Sequence, residues 1–171
     1  METWDAITAR RNVREFADRA IPEADLDRVL EAGRIAPSSQ NNQPWDFVVV
    51  TDRELLGQLA TVWRGGGHIA NAAAAIAMVI ADEKEPRVRE RNRFDIGQAT
   101  MQMMIAAADL GIGSGHSAVS DQDLARSVLG VPGDKLVAFV MDLGFPADRA
   151  LRPGTRLKRR SFDEVVHRNG W

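Results

Sequence analysis

The feature that most constrains the fold of this chain is a stretch from Asp95 to Leu110 that is apolar on nearly every helical face. A surface helix carries a single apolar stripe, whereas a helix that is apolar all round is buried. Gly111 follows at once, and glycine is a typical helix terminator. The sequence therefore predicts a core helix around which the other elements pack.

The other apolar patterns predict a small sheet surrounded by helices. Three stretches rich in β-forming residues predict buried strands at 45–50, 75–80 and 136–143. Helical spacing and capping residues predict helices at 3–11, from Pro22, after the capping box 51–54, at 120–129 and after the capping box 161–164. Helices outnumber strands, which indicates an α/β or α+β class. The charged stretch 83–93 is expected to be solvated, and Gly65–Gly67 to form a mobile loop.

Length and composition limit both the domain count and the function classes. With 171 residues, 44% of them hydrophobic, the chain is expected to form a single domain over residues 1–171. The absence of Cys excludes disulfides, thiolate metal sites and thiol catalysis, and it suits a reducing, cytoplasmic compartment. His68, His116 and His167 share no ligand spacing, so we expect no metal site.

Membrane and nucleic-acid functions are not expected either. The start of the chain lacks the basic and apolar regions of a secretion signal, and no apolar run approaches bilayer length. A net charge of −2 argues against a general nucleic-acid binder.

A polar segment, APSSQNNQPW at 36–45, leads directly into the first predicted strand. It is open to two interpretations. Ser, Asn and Gln side chains can bond the local backbone of a solvated loop. Alternatively, they form a wall of neutral donors and acceptors around a flat, polar ligand.

Basic residues are concentrated near both ends of the chain. The first cluster is Arg10, Arg11, Arg14 and Arg19, and the second is Arg149, Arg152, Arg156, Lys158, Arg159 and Arg160. Charge runs are usually solvated, but a small anion could also bind between two such clusters.

The glycine-rich segment from Gly111 to His116 does not match a known nucleotide or hydrolase motif. It lacks the third glycine of the dinucleotide loop and follows a helix instead of a strand. Ser114 has no Gly-x-Ser-x-Gly frame, so a nucleophile elbow is not expected. The glycines can still let backbone N–H groups approach a ligand. Since Cys and Tyr are both absent, we expect a cofactor to carry any chemistry.

Four blocks of sequence together resemble the nitroreductase family of FMN-dependent oxidoreductases. The blocks are 9–16 (ARRNVREF), 36–45, 95–99 (DIGQA) running to 111–114 (GIGS), and 158–160 (KRR), in the family's order. The resemblance implies an α+β, three-layer sandwich with a small mixed sheet flanked by helices. It further implies an intertwined homodimer with two FMN sites, each built from both subunits.

The resemblance also assigns roles to individual residues. Pro37, Ser38, Ser39 and Asn41 would reach the flavin of the partner subunit, with Gln43 at the turn into the strand. Neutral amides and hydroxyls can satisfy a flavin edge without adding charge. The remaining expected cofactor contacts are Arg10, Arg11, Asn12 and Arg14 at the ribityl chain and phosphate, Gly113 and Ser114, and Lys158 and Arg160 over the phosphate. Asn12 stands where the family commonly has Ser, and 64–95 is short for the family.

The activity implied is reduction of bound FMN by NAD(P)H, followed by ping-pong transfer to a small oxidised acceptor such as a nitroaromatic or a quinone. The chemistry would take place on the flavin, so no catalytic side chain is expected. Two alternatives remain open at this point. One is the same fold with other flavin chemistry: a deazaflavin-dependent or dehalogenating reductase, or a flavin-consuming oxidase. The other is a flavin-binding dimer without turnover.

Overall fold

The computed structural model describes residues 1–154 and 158–171. Their α-helices are α1 (Thr3–Ala9), α2 (Glu23–Arg34), α3 (Arg53–Leu59), α4 (Pro86–Asp109) and α5 (Gln122–Leu129). The strands are β1 (Trp45–Val50), β2 (Ala74–Ala81), β3 (Gly113–Ser117) and β4 (Lys135–Gly144). Two short 3₁₀-helices cover Ser39–Asn41 and Gly67–Asn71.

The core helix is present as α4, but it begins at Pro86 rather than at Asp95 and leaves Met101 46% exposed within this chain, so it is not buried on every face. Glu85 caps it by accepting the Val88 N–H, and Pro86 occupies the first turn, where no N–H partner is needed. The charged stretch expected to be a solvated loop therefore forms the first turns of α4. Asn92 is buried there, so the expectation of full solvation is also wrong at that residue.

The four strands form one sheet in the order β1-β2-β4-β3, and each neighbouring pair runs antiparallel. The four-stranded sheet is therefore antiparallel, whereas the family resemblance implied a mixed sheet. The parallel pairing described within this chain is an isolated bridge between Asn12 and Ser114. It attaches the segment that follows α1 to the edge strand β3.

Strand β3 was not predicted, since its glycines were considered only as positions where the backbone can approach a ligand. Close packing explains the glycines. A Cβ on Gly113 would lie 2.5 Å from Val13 Cγ2, and one on Gly115 would lie 2.8 Å from both Val13 O and Asp142 Oδ2. Side chains with high β-propensity do not fit at these two positions.

Helices cover both faces of the sheet, which confirms the α+β sandwich. On one face, α2 and α4 pack against alternate residues of β2 and β4, including Ile76, Met78 and Met141. On the other face, α3, α5 and the Gly67–Asn71 turn cover Ala75, Ala77 and Val140. None of the described helices is long and apolar enough to cross a membrane.

Several predicted element ends differ in detail. The helix caps are Asp52 and Asp121, which accept the Leu55 and Leu124 N–H groups, instead of Thr51 and Ser120. Ser161 N–H and Oγ do bond the Glu164 carboxylate, as in a capping box. The helix expected to follow is only a turn, because residues 161–171 are exposed within this chain and have nothing to pack against. The mobility expected of Gly65–Gly67 stays a prediction.

The close contact at Gly115 predicts a large penalty for its smallest substitution. Gly115→Ala should lower the free energy of unfolding by about 1–3 kcal/mol, since the added methyl meets backbone and a buried carboxylate. Gly57→Ala, in a helix where a Cβ meets nothing within 4 Å, should instead stabilise by roughly 0.5–1 kcal/mol. Urea denaturation of both variants provides the measurement, and equal effects would contradict the packing described for β3.

Candidate functional site

The chain that follows α1 lies along β3 and brings two predicted site segments together. Val13 N–H donates to Ser114 O at 3.0 Å, and the Val13 side chain is buried. Further on, Ala17 N–H donates to Phe145 O at 2.8 Å. These bonds fix Asn12 beside Ser114, which brings together two of the sequence blocks that were assigned to the cofactor site.

The two basic clusters meet at one open cavity of about 640 Å³. Arg10 and Arg11 line it from the end of α1, and Arg149 and Arg152 line it from the segment after β4. Arginine is suited to phosphate and carboxylate because its guanidinium donates two parallel hydrogen bonds. The structure therefore supports the interpretation in which a small anion binds between the clusters.

The arginines of the first cluster differ in whether they already have a partner within the chain. Arg11 Nη2 lies 2.5 Å from Asp148 Oδ1 and 2.8 Å from Arg149 O. Its hydrogen bond holds the pKa of the Asp148 carboxyl below its usual range. Arg19 stacks on the Phe145 ring at 3.8 Å, away from the cavity. Within the described part of the chain, Arg10 and Arg14 form no salt bridge, so they have their charge available for a ligand.

Lys158 and Arg160 do not line this cavity within one chain. Both are exposed, and Arg160 Nη2 donates to Glu164 O at 2.8 Å in the tail. Arg156, from the same basic run, lies outside the described residues. The role of Lys158 and Arg160 over a phosphate stays a prediction that needs a second subunit.

The polar loop before β1 has an unusual backbone. Gln40, Asn41 and Gln43 adopt φ values of 55°, 56° and 47°, a left-handed region that non-glycine residues rarely enter. Ser38 Oγ accepts the Gln43 N–H at 2.9 Å, and Gln43 Nε2 donates to Asn41 O at 3.0 Å. Local side-chain to backbone bonds are thus present, as the simpler interpretation required. The exposed side of the loop still presents Pro37, Asn41 and Gln43.

Asp95, on α4, anchors this loop through hydrogen bonds from Ser39, a role that was not predicted. Its carboxylate is fully buried and accepts the Ser39 N–H at 3.0 Å and the Ser39 Oγ–H at 3.1 Å. Gln98 Nε2 adds a weaker contact at 3.4 Å. A carboxylate at the head of an all-apolar helix was the signal that could have identified it, because buried charges need partners.

A second buried network was also missed. His68 Nδ1 lies 2.8 Å from Asp142 Oδ2, and Ser117 Oγ lies 3.2 Å from His68 Nε2. All three side chains are buried or nearly so. Burial raises the pKa of the Asp142 carboxyl, while His68 acts in the opposite direction. The three residues are far apart in sequence, so no spacing could have indicated the network. The described residues contain no group of three or more candidate ligands that could hold a metal.

Comparison with known proteins identifies the family of this chain. The profile of the nitroreductase family matches residues 7–64 and 60–144. The chain belongs to the nitroreductase family. A relative in Archaeoglobus fulgidus, named "Putative NADH dehydrogenase/NAD(P)H nitroreductase", is 35% identical over 175 residues, covering 99% of each chain.

Two further proteins are similar to this chain, one in sequence and one in structure. An iodotyrosine deiodinase of Haliscomenobacter hydrossis is 38% identical over 197 residues, covering 97% of this chain and 89% of the relative. The solved structure of an FMN-dependent nitroreductase from Clostridium difficile R20291 superposes with a TM-score of 0.84 at 25% identity, covering 97% of this chain and 98% of that one. The family predicted from the four sequence blocks is confirmed.

The anchoring contact at Asp95 predicts an order of stabilities. Asp95→Ala leaves the Ser39 N–H and hydroxyl without their acceptor, at a cost of about 1.5–3 kcal/mol per charged hydrogen bond. Ser39→Ala should cost less, because the backbone N–H of the substituted residue would keep its bond to the carboxylate. Chemical denaturation and limited proteolysis at 38–43 measure the two effects. Equal losses would show that Asp95 does not hold the loop through these bonds.

Proposed function

We propose that the protein is an FMN-dependent oxidoreductase that takes electrons from NAD(P)H and passes them to a small oxidised acceptor. The observation that carries the proposal is the cavity where arginines from both ends of a nitroreductase-family chain meet, beside the Asn12–Ser114 bridge. Bound FMN would supply the electron transfer itself. The residues of this chain bind it, orient it and limit its contact with water.

The donor set fits the cofactor's chemistry at both of its ends. A phosphate dianion matches Arg10 and Arg11, with Arg14 close by and Asn12 as a neutral partner for the ribityl hydroxyls. At the ring end, the exposed polar loop offers neutral donors and acceptors at Asn41 and Gln43. Gly113 and Ser114 are buried beside Val13 in this chain and stay proposed backbone contacts. FMN is the cofactor that this arrangement and the family membership support together.

A homodimer is part of the proposal, since one chain leaves the site open. Residues 158–171 are exposed throughout, including Phe162 and Trp171. Trp4, Phe94 and Met101 are also exposed, on α1 and α4. Several large apolar side chains exposed at once are typical of an interface. In the proposed dimer, the partner supplies Pro37, Ser38, Ser39 and Asn41 at the ring, and Lys158 and Arg160 at the phosphate.

Cofactor affinity tests the phosphate assignment. Arg10→Ala and Arg160→Ala should each weaken FMN binding roughly ten- to a hundred-fold, because each loses a charge-assisted bond of about 1.5–3 kcal/mol. Arg89 is an exposed arginine on the first turns of α4, so Arg89→Ala should change the affinity little. Fluorescence titration of FMN into the apoprotein measures all three variants. If all three bind FMN like the parent protein, the basic clusters are only solvated surface.

The kinetic mechanism follows from the use of one site by two substrates. Initial rates against NADPH at several fixed menadione concentrations should give parallel double-reciprocal lines, because the first product leaves before the acceptor enters. His116→Ala should keep its turnover, since no side-chain acid is required. Intersecting lines would indicate a ternary complex and would overturn this mechanism.

A second candidate function is reductive dehalogenation, favoured by the 38% identity to an iodotyrosine deiodinase. The same flavin site would then pass electrons to a halogenated aromatic. Release of iodide from iodotyrosine by the dithionite-reduced protein, together with slow turnover of menadione and nitrofurazone, would support the deiodinase. Fast turnover of those acceptors without iodide release would support the first proposal.

A further inference from the structure

The buried network of Ser117, His68 and Asp142 has no part in the function proposed above. Its order of contacts is that of a hydrolase triad, with a hydroxyl at one imidazole nitrogen and a carboxylate at the other. Ser117, however, is only 1% exposed and ends a strand within the sheet. A substrate cannot reach its hydroxyl, so the network does not serve as a nucleophile.

The network lies directly behind the strand that carries two proposed cofactor contacts. Asp142 on β4 pairs with Gly115 on β3, and its Oδ2 lies 2.8 Å from the position that a Cβ on Gly115 would occupy. The residue before Gly115 is Ser114, whose carbonyl holds Val13 and whose bridge partner is Asn12. Any charge on Asp142 therefore lies one residue along β3 from Ser114, whose bridge partner Asn12 lines the proposed cofactor site.

The network can carry two different charges. With the His68 Nδ1–H donating to Asp142 and the Ser117 hydroxyl donating to Nε2, the three side chains together hold one negative charge. One additional proton makes them neutral. Asp142 Oδ1 is buried without a hydrogen-bond partner, which leaves a place where that proton would be held.

Burial favours the neutral form up to a higher pH than usual. It raises the pKa of the Asp142 carboxyl, and the ionisable groups that bear on that carboxyl are His68, from the Gly67–Asn71 turn, and His116, from β3. A raised pKa means that the proton remains bound as the pH rises past the ordinary carboxyl range. The network thus changes from neutral to negative with increasing pH.

We propose that Asp142 and His68 are positioning residues whose shared charge sets the reduction potential of the bound flavin through strand β3. The inference rests on the proposed function. Hydride transfer breaks the C4–H bond of the dihydronicotinamide and adds two electrons and one proton to FMN, leaving NAD(P)+ and one added negative charge on the cofactor. A negative network behind β3 disfavours that added charge and lowers the potential, whereas a neutral network does not.

The test is the midpoint potential of FMN bound to the protein, measured by dye equilibration between about pH 5 and 9, a range that begins above the ordinary carboxyl pKa. Asp142→Asn keeps the shape of the side chain and removes its negative charge at every pH. Its midpoint should match the parent protein at the low end and become increasingly more positive than the parent as the pH rises. Asp27→Asn, which removes an exposed carboxylate on α2, serves as the matched control and should follow the parent curve.

His68→Gln provides a second route if Asp142→Asn does not fold. Without the imidazole, the buried carboxyl keeps its proton to higher pH, so this variant should also be more positive than the parent at the high end. Midpoint curves that coincide with the parent, or that differ by a constant offset, would overturn the inference while leaving the flavoprotein assignment intact. A protein that binds no FMN would overturn both.

Discussion

The contact between the segment after α1 and the glycine-rich strand β3 is the constraint on which the site depends. The hydrogen bond from Val13 N–H to Ser114 O joins residues that lie about a hundred positions apart in the chain. The contact is possible because Gly113 and Gly115 have no side chains to oppose Val13. It sets the position of Arg10 and Asn12, and it places the arginines of the chain's two ends around one cavity.

The elements that the sequence predicted are those in which local pattern and tertiary packing agree. The strand at Ala74–Ala81 and the buried part of α4 are apolar in a way that matches their burial, so the local pattern was sufficient. The strand at Trp45–Val50 was also predicted to be buried, but it lies at the edge of the sheet and only its Val50 is buried in this chain. Strand β3 was missed because its residues have little β-propensity and are selected by a close contact with Val13. The early start of α4 was missed because a charged first turn looks like a loop until Glu85 and Pro86 are recognised as a cap.

The sequence indicated those parts of the candidate site that residue type alone reveals. It did not indicate the parts that depend on contacts between residues far apart in the chain. Arginine clusters are visible in a sequence, and so is a run of Ser, Gln and Asn. Asp95 beneath Ser39, and His68 between Ser117 and Asp142, join residues from different elements. Their pairing follows from the tertiary packing of helices, turns and strands, which periodicity does not give. The polar loop also shows that the two initial interpretations are compatible, since local bonds hold Gln43 while Asn41 stays exposed.

If the arginine-lined cavity holds the cofactor phosphate as proposed, cofactor supply is linked to the amount of folded protein. Arg10, Arg149 and Arg152 repel one another around this cavity, whereas Arg11 is paired with Asp148. A bound dianion would offset the repulsion only in the folded chain. A ligand that binds the native state alone shifts the folding equilibrium by mass action. A cell short of the cofactor would therefore hold less folded protein as well as less loaded protein, and proteolysis would remove the difference.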